Sequence, residues 1–158
     1  MPSDLWSFTL DFYARPGVEQ ACLALQADGA NVCMVLCGVW LQVLGVPCTS
    51  QRLHEIGQLA GPWHDDVVRP LRELRTQWKT AAQHDVALGT LRDQVKALEL
   101  DAERQLLARL QTLTESWSAT GEPAQGEWLS GLTGAAGENN RDALQVLRVA
   151  ADLTTDRA

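Results

Sequence analysis

The chain has 158 residues, 46% hydrophobic and 21% charged, with 12 Gly and 6 Pro, which is the composition of neither a disordered nor a fibrous protein. A chain of this size buries roughly two-thirds of its extended surface, enough for one core, so a single helical domain over 1–158 is expected. Thirteen basic against twenty acidic residues give a formal charge of −7, which lacks the positive field that carries non-specific nucleic-acid binding, and no nucleic-acid partner is expected.

The charge is uneven: residues 62–96 hold 6 basic and 5 acidic groups, whereas residues 97–158 hold 5 and 10. An anion site belongs first in that near-balanced middle. The start, Met1-Pro2-Ser3-Asp4, has no basic segment ahead of an apolar run, so no signal peptide is expected. The longest apolar run, 32–41, is too short as a helix for about 30 Å of hydrocarbon, so no membrane insertion is expected. Cys22, Cys33, Cys37 and Cys48 sit in apolar surroundings and read as reduced core thiols, consistent with a cytoplasmic protein.

Residues 3–13 read as a first helix. Ser3 can cap it, and Leu5, Phe8 and Phe12, with Trp6, Leu10 and Tyr13, form a broad apolar side. Pro16 suits the first turn of a second helix with Val18, Cys22 and Leu25 inward, ended by Asp28-Gly29. Asn31 caps a third helix, 32–44, apolar around its whole circumference as far as Gln42, which places it among other helices. Gly38 lets a neighbour approach it closely, and Gly45-Val46-Pro47 stops it. A strand is the rival for this stretch, but its length, the capping Asn and the Gly-x-Pro stop favour a helix.

Thr49 or Ser50 starts a short fourth helix with Leu53 and Ile56 inward, broken at Gly61-Pro62. From there Val67, Leu71, Leu74, Trp78 and Ala81 or Ala82 repeat at helical spacing and predict a helix 64–84, kinked at Pro70, the rival being a helix that begins at Arg69 with Pro70 in its first turn. After a turn near residues 85–90, Leu91, Val95, Leu98, Ala102, Leu106, Leu110, Leu113 and Trp117 predict a long helix 91–117 packed antiparallel on 64–84. Residues 119–140 carry five Gly and little periodicity, and read as a Gly-rich connection to a docked C-terminal helix, 141–153. The expected fold is all-α: an irregular bundle of six or seven helices around the central apolar helix 32–44, with a long antiparallel hairpin (64–84/91–117).

No catalytic motif survives inspection. His54-Glu55 begins like a zinc-protease signature, but Gln58 stands where its second His would be. Cys33 and Cys37 are four apart among apolar neighbours, which suits packing rather than metal binding. Glu99 and Glu103 share a helix face, but no Glu-x-x-His accompanies them, so neither a metal nor a cofactor is expected. Counting outward from a turn near residue 86 sets Arg72 level with Glu99, so Arg72 and Arg75 can bracket Glu99 as a structural ion pair. Arg69, Arg72, Arg75 and Lys79 also form a basic ridge in an acidic chain, which can instead hold an anion or an acidic partner segment. Trp128 and Leu129 within the Gly-rich connection are expected to dock on the body, yet of six Trp, Trp63 at a break and Trp128 in that connection are also the candidate exposed anchors or pocket lids.

These residues form a recognisable set: Leu5-Trp6-x-Phe8 with Tyr13, Pro16-Gly17-Val18-x-x-Ala21-Cys22-Leu23-x-Leu25-Gln26, and Asn31-Val32 through Trp40-Leu41. To these add Trp63, Val67-Val68-x-Pro70-Leu71-Arg72-x-Leu74-Arg75 and Leu91-Arg92-x-x-Val95-Lys96-x-x-Glu99-Leu100-x-Ala102-Glu103. Over most of residues 5–110 the chain resembles a small family of uncharacterised proteobacterial helical proteins, a domain of unknown function. Cys33-Met34 departs from the Asn-Leu more usual there. The resemblance implies a stand-alone helical domain and no particular substrate or cofactor.

The function expected from the residues is that of a cytoplasmic protein-interaction or regulatory module, its partner another protein met by the Arg69–Lys79 ridge or by Trp128. The alternative is a small-molecule or anion-binding enzyme with a pocket near Trp63, His64 and Arg72. A deep pocket joining at least three helices favours the second, and a flat apolar patch with an exposed Trp favours the first. Oligomeric state is not fixed by the periodicity.

Overall fold

The computed structural model describes residues 4–119 and 123–156. Its helices are α1 (Leu5–Tyr13), α2 (Val18–Ala27), α3 (Val32–Val43), α4 (Ser50–Trp63), a π turn (His64–Val68), α5 (Arg69–Gln77), α6 (Lys79–Ala82), α7 (Val86–Thr114), α8 (Trp128–Thr133), α9 (Ala135–Asn139) and α10 (Arg141–Asp156). No β-strand occurs among the described residues. Short polar side chains set the helix starts: Asp4 accepts from the Ser7 N–H at 2.7 Å, Asn31 from Met34 at 3.3 Å, Thr49 from Arg52 at 3.1 Å and Asp85 from Leu88 at 3.1 Å. Ser3, expected as the first cap, lies outside the described residues. Gly29 and Gly45 close α2 and α3 at φ of 97° and 78°, a backbone region that a side chain would strain.

The expected architecture of six or seven helices about 32–44 is overturned. Ten α-helical segments are present among the described residues, and the central element is α7, 29 residues long, which touches α1, α3, α4, the π turn, α5 and α6. Helix α3 is buried almost all round, from Val35 to Leu41. An apolar circumference therefore forecasts burial, and α3 packs on α1, α2, α4, α7, α8 and α10; α7 takes the central place by its length, which carries it past α3 to the π turn, α5 and α6.

The expected pair of 64–84 and 91–117 is corrected too. Helix α4 runs through Gly61-Pro62 to Trp63, because Pro62 is exposed and the Gln58 carbonyl it deprives of a donor is on an exposed residue. The regular α-helix gives way to the π turn, where the Arg69 N–H reaches back five residues to the His64 carbonyl. One extra residue per turn there moves the Asp66 carbonyl away from the Pro70 ring, which an α turn would drive into it. Trp78 separates α5 from α6, and α7 starts five residues earlier than expected and ends at Thr114. The π turn, α4, α5 and α6 all lie on α7.

Along α7 the expected inward row holds at Val95, Ala102, Leu106 and Leu110 and fails at Leu91 and Leu98; Glu99, one position on from Leu98, is buried in its stead. Leu91, Leu98 and, across from them on α5, Leu74 are 50%, 54% and 38% exposed, while Val95, Glu99, Ala102, Leu106 and Leu110 are buried. The segment opposite supplies Arg72 and Arg75, and a carboxylate turned towards them is stabilised where a leucine would strip water from two guanidinium groups. Lower in the bundle the core is apolar, with Leu5, Phe12, Leu25, Leu41, Ile56, Leu106, Leu107, Leu110, Leu129 and Leu147 all closed off from solvent. Much of the stretch read as a Gly-rich connection is helical: α8 packs on α3, and α9 leads into α10, which runs to Asp156. Residues 120–122 of that stretch lie outside the described residues.

Candidate functional site

Four helices lend a stripe of side chains, three or four residues apart, to one cleft of about 500 Å³. On α1 the stripe is Trp6, Thr9, Leu10 and Tyr13, a different side of the helix from the buried Leu5, Phe8 and Phe12. Helix α2 adds Glu19, Leu23 and Gln26; the π turn and α5 add His64, Val68, Arg72 and Arg75; α7 adds Glu99, Glu103 and Leu106, with Leu100 beside them. The first turns of α3, with Asn31, Val32, Cys33 and Leu36, complete the wall. Leu10, Leu23 and Leu100, each at least half exposed, come from three different helices and all border this one cavity.

A charged cluster lies on the wall formed by α5 and α7. Arg72 Nε donates to Glu99 Oε2 at 3.0 Å, and Arg75 donates to both Glu99 oxygens, at 2.5 and 3.3 Å. Arg72 also reaches Glu103 Oε1 at 3.4 Å, and Arg92 Nε ties the α5 backbone to α7 by donating to the Arg75 carbonyl at 2.9 Å. Burial pushes the Glu99 carboxyl up, but the hydrogen bonds and charges of Arg75 and Arg72 outweigh it and hold the group below its ordinary value of 4.5. One turn on, burial dominates at Glu103: with the Glu99 charge it lifts that carboxyl above its ordinary value, against the pull of Arg72. Burial, with the Arg72 and Arg69 charges, pushes the His64 imidazole down against the pull of Asp65, so the ring favours its neutral form. Burial pushes the Tyr13 phenol up to about 12, keeping it a neutral donor and acceptor. Thr9 is 8% exposed, and its hydroxyl has no hydrogen-bond partner among the described residues.

The residues singled out in the sequence divide among several places. Of the ridge, Arg72 and Arg75 turn into the cleft onto Glu99, while Arg69 pairs with Asp65 one turn back on the outside and Lys79 is exposed on α6. His64 lines the cleft. Trp63 lies outside its lining: its indole N–H donates to the Ala102 carbonyl at 2.9 Å, and the Arg109 guanidinium sits 3.9 Å over its ring. Trp128 is remote and is 2% exposed, donating to the Val46 carbonyl at 2.8 Å and stacking on Trp117. It is therefore a core residue and not an exposed anchor. Thr9, Tyr13 and the three rim leucines belong to no site motif in the sequence, and Glu103 stands out there only as a candidate metal ligand beside Glu99. The rim's signal was present in Leu23 and Leu100, apolar residues out of phase with the buried stripes of α2 and α7.

Among the described residues no group of three His, Cys, Asp or Glu side chains converges as a metal site, and no helix is long and apolar enough to cross a membrane. Burial pushes the Cys22 and Cys37 thiols up to about 12, and Cys33 is also raised, which leaves all three unreactive. No curated protein and no solved structure matches the chain. One family description matches it over residues 4–110, nearly the stretch over which the sequence motifs are shared. The chain belongs to that family of all-helical proteins, described as protein of unknown function (DUF2390).

Proposed function

We propose that the protein binds a small molecule in the cleft between α1, α2, α5 and α7. The observation that carries this reading is the meeting of Leu10, Leu23 and Leu100 at the mouth of a cavity that also holds a fixed charged cluster. Exposed leucines are ordinary when scattered; three from separate helices around one cavity are the profile of a ligand site, whose walls are mostly apolar with a few placed polar groups. The volume is within the range of such sites. A protein partner at the Arg69–Lys79 ridge or at Trp128 has less to rest on, since Arg72 and Arg75 are engaged with Glu99 and Trp128 is buried.

Phenylnaphthylamine, an uncharged dye that brightens in apolar surroundings, tests the reading. Its emission is expected to rise and saturate at one dye per chain. Leu23→Trp, which enlarges an exposed rim residue, is expected to weaken binding about tenfold by narrowing the mouth, with an unchanged melting temperature. A rise that never saturates, or an affinity indifferent to Leu23→Trp, would count against the cleft.

A further inference from the structure

Resting on that reading of the cleft, we infer that its ligand is an uncharged molecule: an apolar body carrying one hydroxyl or amide group. The charged cluster is already balanced, because two guanidinium groups, Arg72 and Arg75, face two carboxylates, Glu99 and Glu103. An incoming carboxylate or phosphate would have to draw a guanidinium off Glu99, whose side chain is 9% exposed, and leave that buried charge short of a partner. It would also meet Glu103 and, farther out, Glu19. An incoming cation would have to draw Glu99 or Glu103 off an arginine, since both carboxylates of the cluster are engaged. His64, the remaining titratable group on the π turn wall, favours its neutral form and offers an anion no charge.

Hydrogen-bonding capacity for an uncharged group is present. The Thr9 hydroxyl is buried on the α1 wall and has no partner among the described residues, an arrangement that destabilises the fold unless something binds it. Tyr13 lies one turn on along the same stripe, where the Glu103 and Arg72 charges act on its phenol. Glu103 has one oxygen held by Arg72, and that contact is long. Thr9 and Tyr13 can each donate and accept, and Glu103 accepts, so together they suit a hydroxyl or amide, while Trp6, Leu10, Leu23 and Leu100 offer the apolar body its walls.

Phenylnaphthylamine and anilinonaphthalene sulfonate share a ring skeleton and differ by a sulfonate, and decanol and decanoate differ likewise in their head group. The sulfonate dye is expected to bind at least about tenfold more weakly than the uncharged one, and decanol to displace the uncharged dye where decanoate at the same concentration does not. Glu103→Gln keeps the shape and removes a negative charge from the cleft, so it should tighten the sulfonate dye several-fold and narrow the gap between the two dyes. Thr9→Val should keep or raise the melting temperature, since it removes a buried hydroxyl that has no partner to lose, yet weaken decanol about tenfold. Equal or tighter binding of the sulfonate dye and decanoate would overturn the preference for an uncharged ligand and leave the cleft standing. Wild-type decanol affinity in Thr9→Val would overturn the assigned head-group contact. If neither dye binds, the cleft reading and this inference fall together.

Discussion

Glu99→Ala is expected to lower the stability of the fold by about 3 kcal/mol, which for a chain near this length moves the melting temperature down by about 9 °C. The substitution removes the one carboxylate that both Arg72 and Arg75 hold, leaving two guanidinium groups partly stripped of water with Glu103 alone to share. Removing one partner of a buried pair typically costs about 3–5 kcal/mol. The low end applies here, because the Arg72 and Arg75 side chains keep 21% and 28% of their exposure and water can recover part of the loss. Arg75→Ala should cost less, since Arg72 still holds Glu99. Arg69→Ala, which breaks an exposed pair one turn apart, should stay within about 0.5 kcal/mol. The pH dependence has a definite sign. Glu99 is held below its ordinary 4.5, so its contribution is full above that value and is lost as pH falls through the lower folded value; the gap between wild type and Glu99→Ala should narrow on acidification below 4.5. Glu103 is raised and acts in the opposite sense, so its own contribution falls as pH rises through its folded value. Thermal melts of the variants across pH would measure all of this. A Glu99→Ala protein melting within about 2 °C of wild type at neutral pH would show that the cluster does not hold α5 to α7.

The pairing of Arg72 with Glu99 was legible because it follows from counting residues away from a turn, and an error of one residue in the turn still leaves long side chains within reach. The inward face of α7 was legible at Val95, Ala102, Leu106 and Leu110 but not at Leu91 and Leu98. Leucines at 91 and 98 extend the apolar repeat of the lower helix, and a periodic pattern cannot tell that the opposing segment offers guanidinium groups instead of side chains that pack on leucine. The cleft stayed hidden for a related reason. Trp6, Leu10 and Tyr13 sit beside Leu5, Phe8 and Phe12 on one wide apolar side, and only the placement of α2 and α7 decides which half of it meets the core and which half borders a cavity. Pro70 did signal a departure from regular helix, but the chain answers it with a wider turn ahead of the ring, a response that depends on what the π turn packs against. Trp128 stood out as an aromatic residue in a glycine-rich stretch; that it is buried against α3 follows from long-range packing that no local window contains.

Gly38→Val is expected to destabilise by about 3 kcal/mol, the second large effect, and it tests that packing directly. A Cβ at Gly38 would lie 2.5 Å from Leu132 Cδ1 and 3.4 Å from the Trp128 Cβ, so α3 and α8 approach each other where α3 has no side chain. Two opposing terms decide the outcome. Replacing a mid-helix glycine gains up to about 1 kcal/mol of backbone propensity, as it should at Gly57 in α4, where a Cβ meets nothing within 4 Å. At Gly38 the overlap with Leu132, itself 7% exposed and short of room to turn, outweighs that gain. Alanine should therefore be mildly destabilising, and valine, with two further methyl groups and little rotamer freedom in a helix, should fall near the upper end of overpacking costs. Leu132→Ala alone leaves a cavity and should also destabilise; combined with Gly38→Ala it removes the clash, so the double variant should lose less than the two single losses added together. Indole emission supplies an independent reading, because displacing α8 would break the Trp128 hydrogen bond to the Val46 carbonyl and its stacking on Trp117, shifting the spectrum to longer wavelength. A Gly38→Val protein with wild-type melting temperature and unshifted emission would mean that α8 does not sit against α3, and the burial of Trp128, with the case against an exposed aromatic anchor, would have to be given up.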